Sequence, residues 1–156
     1  MFDDIYNRRI LELAANIPRL GRLAHPQASA SARSRLCGSS VTVDLVLSDG
    51  RVSDFAQDVK ACALGQTSCS VMGREIIGAT PGELRQGREQ MRKMFKENGP
   101  PPQGRFAEAG VLEPARDYKA RHASMLLVFD AVVDALDKIE KAGADLTEAT
   151  PSLRGA

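Results

Sequence analysis

Three thiols and two imidazoles are the groups in this chain most suited to chemistry: Cys37, Cys62, Cys69, His25 and His122. A thiolate is the form that both binds metals and accepts sulfur, so the question is which thiol ionises. Cys62 stands where a predicted strand passes into a predicted helix. There the unpaired N–H groups of the helix start favour a negative sulfur. Cys37 lies in Leu36-Cys37-Gly38-Ser39, just before the first clear strand. Taken singly, each cysteine can equally be a small buried apolar residue. Cys69 follows Cys62 by two helical turns, roughly 10 Å along the axis, too far to share one metal or a disulfide. The chain has no Cys-x-x-Cys spacing. His122 opens the last predicted helix between cationic neighbours and reads as a helix-face histidine with a solvated edge. His25, before Pro26 in a polar stretch, reads as a surface residue.

These groups must be positioned by a short list of elements. Phe2, Tyr6, Ile10, Leu13 and Ile17 recur at helical spacing, with Asp3 and Asp4 in the first turn and Pro18 and Gly21 as stops. An irregular small-residue stretch follows and predicts an extended segment or edge strand. From Val41 the period becomes two, through Val43, Leu45 and Leu47. Ser48-Asp49-Gly50 then turns the chain into a return strand over residues 51–60. A helix of small residues starts after Cys62. Thr80-Pro81-Gly82-Glu83 has the form of a capping box with proline at the first helical position, opening a helix that ends near Asn98-Gly99. His122, Met125, Phe129, Val132, Val133, Leu136 and Ile139 share one face of a long last helix, with Gly143 as its stop. Residues 1–143 form one domain in this reading, and 144–156 a flexible tail. The fold class is α+β: a small antiparallel sheet of about three strands packed against several helices.

Composition narrows the function classes. The 156 residues carry 21 Lys+Arg against 20 Asp+Glu, a formal net charge of +1, which is no footprint for nucleic acid. Aromatic residues are only 4%, too few for a base-stacking platform. No apolar run approaches the roughly 20 residues of a membrane span. An odd number of cysteines and no visible export signal predict reduced thiols and a cytoplasmic location. The charged groups Arg8-Arg9 and Arg92-Lys93 read as solvated faces. The denser run from Arg116 to Arg121 would suit an acidic partner.

In order along the chain, these pieces resemble the iron–sulfur cluster assembly scaffold family, which includes IscU, SufU and the N-terminal part of NifU. Ile17-Pro18-Arg19-Leu20-Gly21 is similar to the family's Asn-Pro-Arg-Asn-x-Gly segment, and Leu36-Cys37-Gly38 resembles its Cys-Gly-Asp motif. The stretch from Cys62 to Met72 resembles Cys-Ala-Ile-Ser-x-Ala-Ser-x-Ser-x-Met, the most specific match. His122-Ala123-Ser124-Met125-Leu126 resembles His-Cys-Ser-Met-Leu. The resemblance covers about residues 1 to 140. It implies that Cys37, Cys62 and His122 bind iron, a nascent [2Fe–2S] cluster or zinc. It also implies a cysteine desulfurase and iron–sulfur acceptor proteins as partners. Ser39 stands at the family's aspartate position and Ala123 at its third cysteine, while Cys69 falls where the family has Ala or Ser. Glu113-Pro114-Ala115-Arg116 does not match the family's chaperone-recognition segment. Three functions are thus weighed. The first is a non-enzymatic scaffold or carrier. The second is a zinc-dependent sulfur acceptor of SufU type with Cys62 taking the sulfur. The third is a metal-free adaptor that keeps the fold.

Overall fold

The computed structural model describes residues 6–36 and 38–149, and its elements follow from local sequence. Helix α1 spans Arg8–Ala15, with Asn7 as its cap, the side chain accepting from the Ile10 N–H at 3.0 Å. The predicted opening helix is therefore corrected at its start: a capping asparagine at position 7 sets the boundary, since it can satisfy a free N–H that Tyr6 cannot. Phe2, Asp3 and Asp4 lie outside the described residues. Ile10 and Leu13 bury its inner face.

Strands β1 (Ala28–Arg33), β2 (Ser40–Ser48) and β3 (Arg51–Lys60) form an antiparallel sheet in the order β1-β2-β3. The turn between β2 and β3 is tight because Asp49 and Gly50 both adopt positive φ, 54° and 77°. A register shift between Val46 and Leu47 breaks the alternation there, leaving Leu47 only partly buried. After α1, the chain from Pro18 to Gly21 lies along the free side of β3. Leu20 makes a parallel bridge to Gln57, and the Gly21 N–H donates to the Gln57 carbonyl at 2.8 Å.

Asp44 departs from the pattern expected of its strand. Alternation would turn it outward, yet it is fully buried. Its carboxylate accepts from Arg22 Nε and Nη2 at 2.7 and 2.9 Å, from the Leu23 N–H at 2.8 Å and from the Ser29 hydroxyl. Burial pushes its pKa up, but these donors outweigh burial and hold it below the ordinary carboxylate value. The ionised form is thus favoured in the folded state, and its stabilisation is full above the unfolded pKa of about 4. It is lost as pH falls from there through the lower folded value. Asp44→Asn should lower stability by about 2–3 kcal/mol at pH 7 and flatten the acid limb of a stability-against-pH curve, measured by urea unfolding.

Helix α2 (Ala63–Glu75) follows β3 after two residues, and α3 (Pro81–Lys96) opens with the expected reciprocal capping box of Thr80 and Glu83. Arg105 ties these two helices together, donating to the Glu75 carbonyl at 2.8 Å and to Glu83 at 3.1 Å. Between α3 and the last helix, Gly104–Asp117 is a 3-10 segment burying Phe106, Ala109, Leu112 and Ala115, one residue in three. A second 3-10 turn, Lys119–Arg121, leads into α4 (His122–Ala149). α4 passes through Gly143, the expected stop. Gly143 is not among the glycines with positive φ, and the helix runs through it at a modest propensity cost. Of the expected tail, residues 150–156 lie outside the described residues.

α4 lies across β1 and β2 on one side and touches α2 and α3 on others. Accordingly Met125, Val128, Phe129, Ala131, Val132, Ala135 and Leu136 are all fully buried, more than one face of the helix. Among the described residues, no helix is long and apolar enough to cross a membrane.

Candidate cargo site at Cys62

Sheet register builds the site. Ser40 at the start of β2 pairs with Lys60 at the end of β3, so Gly38-Ser39 and Ala61-Cys62 run side by side. The 3-10 turn Lys119–Arg121, just before α4, adds Arg121. Gly38, Ser39, Lys60, Ala61, Cys62 and Arg121 line a cavity of about 460 Å³.

Cys62 is the N-cap residue of α2, with extended backbone (φ −69°, ψ 171°), and its side chain is half-buried. The Ser124 hydroxyl lies 3.1 Å from its Sγ. That contact requires α4 to come unusually close to α2, and Gly65 is what permits it. A Cβ at Gly65 would stand 2.5 Å from Ser124 Oγ and 3.0 Å from the Ser124 carbonyl oxygen. Burial raises the pKa of the Cys62 thiol. The Ser124 hydroxyl, the Gly65 and Leu64 N–H groups and the Arg121 charge together outweigh burial and lower it. Neither N–H meets the sulfur in full cap geometry, so the helix start acts here mainly through proximity. Cys69, on the same helix, is 1% exposed, and burial alone drives its pKa far upward. One helix therefore carries one activated thiol and one inert thiol.

His122 departs from the solvated histidine expected. It is 2% exposed and stacks on Phe95, with ring centroids 4.9 Å apart and 29° between planes. Its Nε2 lies 2.6 Å from the Arg116 carbonyl oxygen. A carbonyl only accepts, so Nε2 carries the proton and Nδ1 presents a bare lone pair. Nδ1 is buried, with no hydrogen-bond partner among the described residues. Burial lowers the His122 pKa, and Lys96 and Lys119 add to this against the Arg116 carbonyl and Asp117. A neutral imidazole whose N–H is fixed on a carbonyl has the electronic form of a metal ligand.

The three sequence-predicted ligands are thus not all placed together. Cys62 lines the cavity, His122 does not, and Cys37 lies outside the described residues. Among the described residues, no three His, Cys, Asp or Glu side chains converge as a metal cluster would require. Ser39 is 4% exposed at the cavity edge, a hydroxyl in place of a carboxylate. His25 is exposed, as expected. Ser124 and Lys60 were not singled out from sequence. Ser124 lies inside a quoted motif, two residues after His122, and that position was its only signal.

No family model matches the chain. A curated relative, the iron–sulfur cluster assembly scaffold protein IscU of Thermotoga maritima, is 27% identical over 142 residues, covering 90% of this chain and 99% of that protein. The crystal structure of a nitrogen-fixing NifU-like protein (N-terminal) from Brucella abortus matches with a TM-score of 0.88 and 61% identity. That match covers 90% of this chain and 97% of the other. The chain belongs to the iron–sulfur cluster assembly scaffold family. The scaffold fold also extends to a candidate cluster-assembly scaffold of the SUF system from Fervidobacterium islandicum. That structure has a TM-score of 0.75 at 20% identity, covering 86% of this chain and 98% of the other, and shows the shared fold alone. The three-stranded sheet and long last helix are therefore those of the scaffold family.

Proposed function

We propose that this protein is a scaffold or carrier in iron–sulfur cluster assembly, holding iron or a nascent cluster as cargo through Cys37, Cys62 and His122. The observation that carries this reading is the Cys62 site. It combines a thiol with a lowered pKa, a hydroxyl at 3.1 Å and an accessible cavity at a helix start. His122 supports it through the lone pair left on Nδ1. Two thiolates and one imidazole leave coordination positions open on tetrahedral iron, which suits cargo that must leave again. The partners in this reading are a cysteine desulfurase that supplies sulfur and an acceptor protein that takes the cluster, all in the cytoplasm.

Anaerobic incubation with ferrous iron, sulfide and dithiothreitol tests it. Wild-type protein should develop visible charge-transfer absorption. Cys37→Ala and Cys62→Ala should each reduce it by about 10-fold or more, and His122→Ala by a smaller factor. Absorption equal to wild type in both cysteine variants would sink the reading.

The single activated thiol also favours a second reading, a zinc-dependent sulfur acceptor. The Cys62 thiolate would attack the outer sulfur of a donor persulfide. The donor's S–S bond would break, and its thiolate would leave with the bonding pair. Equimolar zinc in freshly purified protein, with persulfide on Cys62, would select this reading over the first.

A further inference from the structure

Ser124 is 1% exposed in the first turn of α4, and its hydroxyl lies 3.1 Å from Cys62 Sγ. A serine inside a helix usually turns its hydroxyl back to a carbonyl one turn earlier. Here it reaches across to the cap residue of α2, where Gly65 leaves room for the approach. Cys62 lines the cavity and Ser124 does not. The hydroxyl therefore meets Sγ from the protein side, and the cavity side stays open to an incoming sulfur.

The direction of this hydrogen bond is fixed once Cys62 carries a second sulfur. Sγ then has no proton, so the hydroxyl can only donate. A sulfur in an S–S bond accepts weakly, whereas a thiolate accepts strongly. The contact thus strengthens as the S–S bond breaks, and a contact made mainly in the transition state accelerates the step. We infer that Ser124 donates to Cys62 Sγ as a leaving group, so that sulfur held on Cys62 is passed on by attack at the outer sulfur. An acceptor thiolate forms a new S–S bond to that outer sulfur. The bond to Sγ breaks, and Sγ leaves with the bonding pair as a thiolate held by the hydroxyl. The acceptor thiol is the one co-reactant, and Ser124 keeps its proton. Use of this step for sulfur delivery rests on the sulfur-acceptor reading above. The leaving-group role itself does not.

A mixed disulfide tests the role without metal or sulfur donor. Metal-free Cys37→Ser protein is joined at Cys62 to cysteamine and then treated with excess 2-mercaptoethanol, and intact mass follows the return of free Cys62. Ser124→Ala should slow that release by at least about 3-fold, and Ser124→Thr, which keeps a hydroxyl, should recover it to within about 2-fold. Cys69 left unlabelled by iodoacetamide shows that each variant is folded. Unchanged release in folded Ser124→Ala overturns the proposal. So does a folded Ser124→Thr that stays as slow as Ser124→Ala, which would mark a packing effect. Should a variant not fold, the parent protein decides: release should be faster from its folded state than from its urea-unfolded state, and slower release overturns the proposal. Separately, zinc-loaded wild-type protein is offered sodium polysulfide. No sulfur on Cys62, with the release results as expected, refutes the sulfur-acceptor reading and leaves the role of Ser124 standing. Sulfur on Cys62, with release unchanged in Ser124→Ala, does the reverse.

Discussion

In a Cys37→Ser background, Cys62 should react with iodoacetamide about 100-fold or more faster than Cys69, with Cys69 labelled only on unfolding. The two sulfurs are seven residues apart, Cys62 as the cap and Cys69 inside the same helix, and position alone does not account for so large a difference. Environment does. Cys62 opens into the cavity with a hydroxyl 3.1 Å away and Arg121 nearby, while Cys69 is sealed in the core at 1% exposure. Because the Cys62 pKa is lowered, its labelling rate should saturate at a lower pH than that of a free cysteine. Mass spectrometry of peptides from native and denatured labelling gives both results. Equal rates at the two positions would contradict the structure.

Gly65→Ala should cost about 1–3 kcal/mol of stability, against the ordinary expectation for a helix interior. Alanine for glycine in a helix normally gains up to about 1 kcal/mol. Here the new methyl would meet the Ser124 hydroxyl at 2.5 Å, Ala61 Cβ at 2.9 Å and the Ser124 carbonyl oxygen at 3.0 Å. The hydroxyl can rotate away, but the carbonyl is backbone and moves only with α4. The overlap therefore outweighs the propensity gain. Melting should fall by roughly 2–4 °C for each kcal/mol in a chain of this size. The same displacement takes Ser124 from Cys62, so the thiol pKa should rise, which a pH profile of labelling reads directly. Gly143→Ala is the control. No described atom lies within 4 Å of a Cβ there, so the substitution should be neutral or stabilising.

Much of this architecture was legible because its signals are local. The two-residue period of Val41, Val43 and Leu45, the turn at Asp49-Gly50 and the capping box at Thr80 and Glu83 each decide a few dihedral angles by themselves. Cys62 was placed correctly at a helix start for the same reason. What escaped depended on distant partners. Asp44 looked like the outward residue of an alternating strand, and its burial follows from Arg22 and Leu23 in the loop before β1 and from Ser29, its partner on β1. His122 looked solvated because its neighbours Lys119 and Arg121 are charged. The ring is enclosed by Phe95 and by the Arg116 carbonyl, neither of which local patterning could supply. The 3-10 segment did leave a trace, the three-residue spacing of Phe106, Ala109, Leu112 and Ala115, but neither the helical nor the strand period detects it.

The contact between Cys62 and Ser124 spans 62 positions of sequence, which has a consequence for the order in which the molecule is made. A growing chain exposes its N-terminal portion first. The hairpin and α2 can pair as soon as they emerge, with Cys62 already at the helix start. The hydroxyl, Arg121 and the covering helix arrive only with the later part of the chain. During synthesis, then, Cys62 is first helped only by the Leu64 and Gly65 N–H groups of its own helix, and the share of its reactivity owed to Ser124 and Arg121 begins when α4 docks.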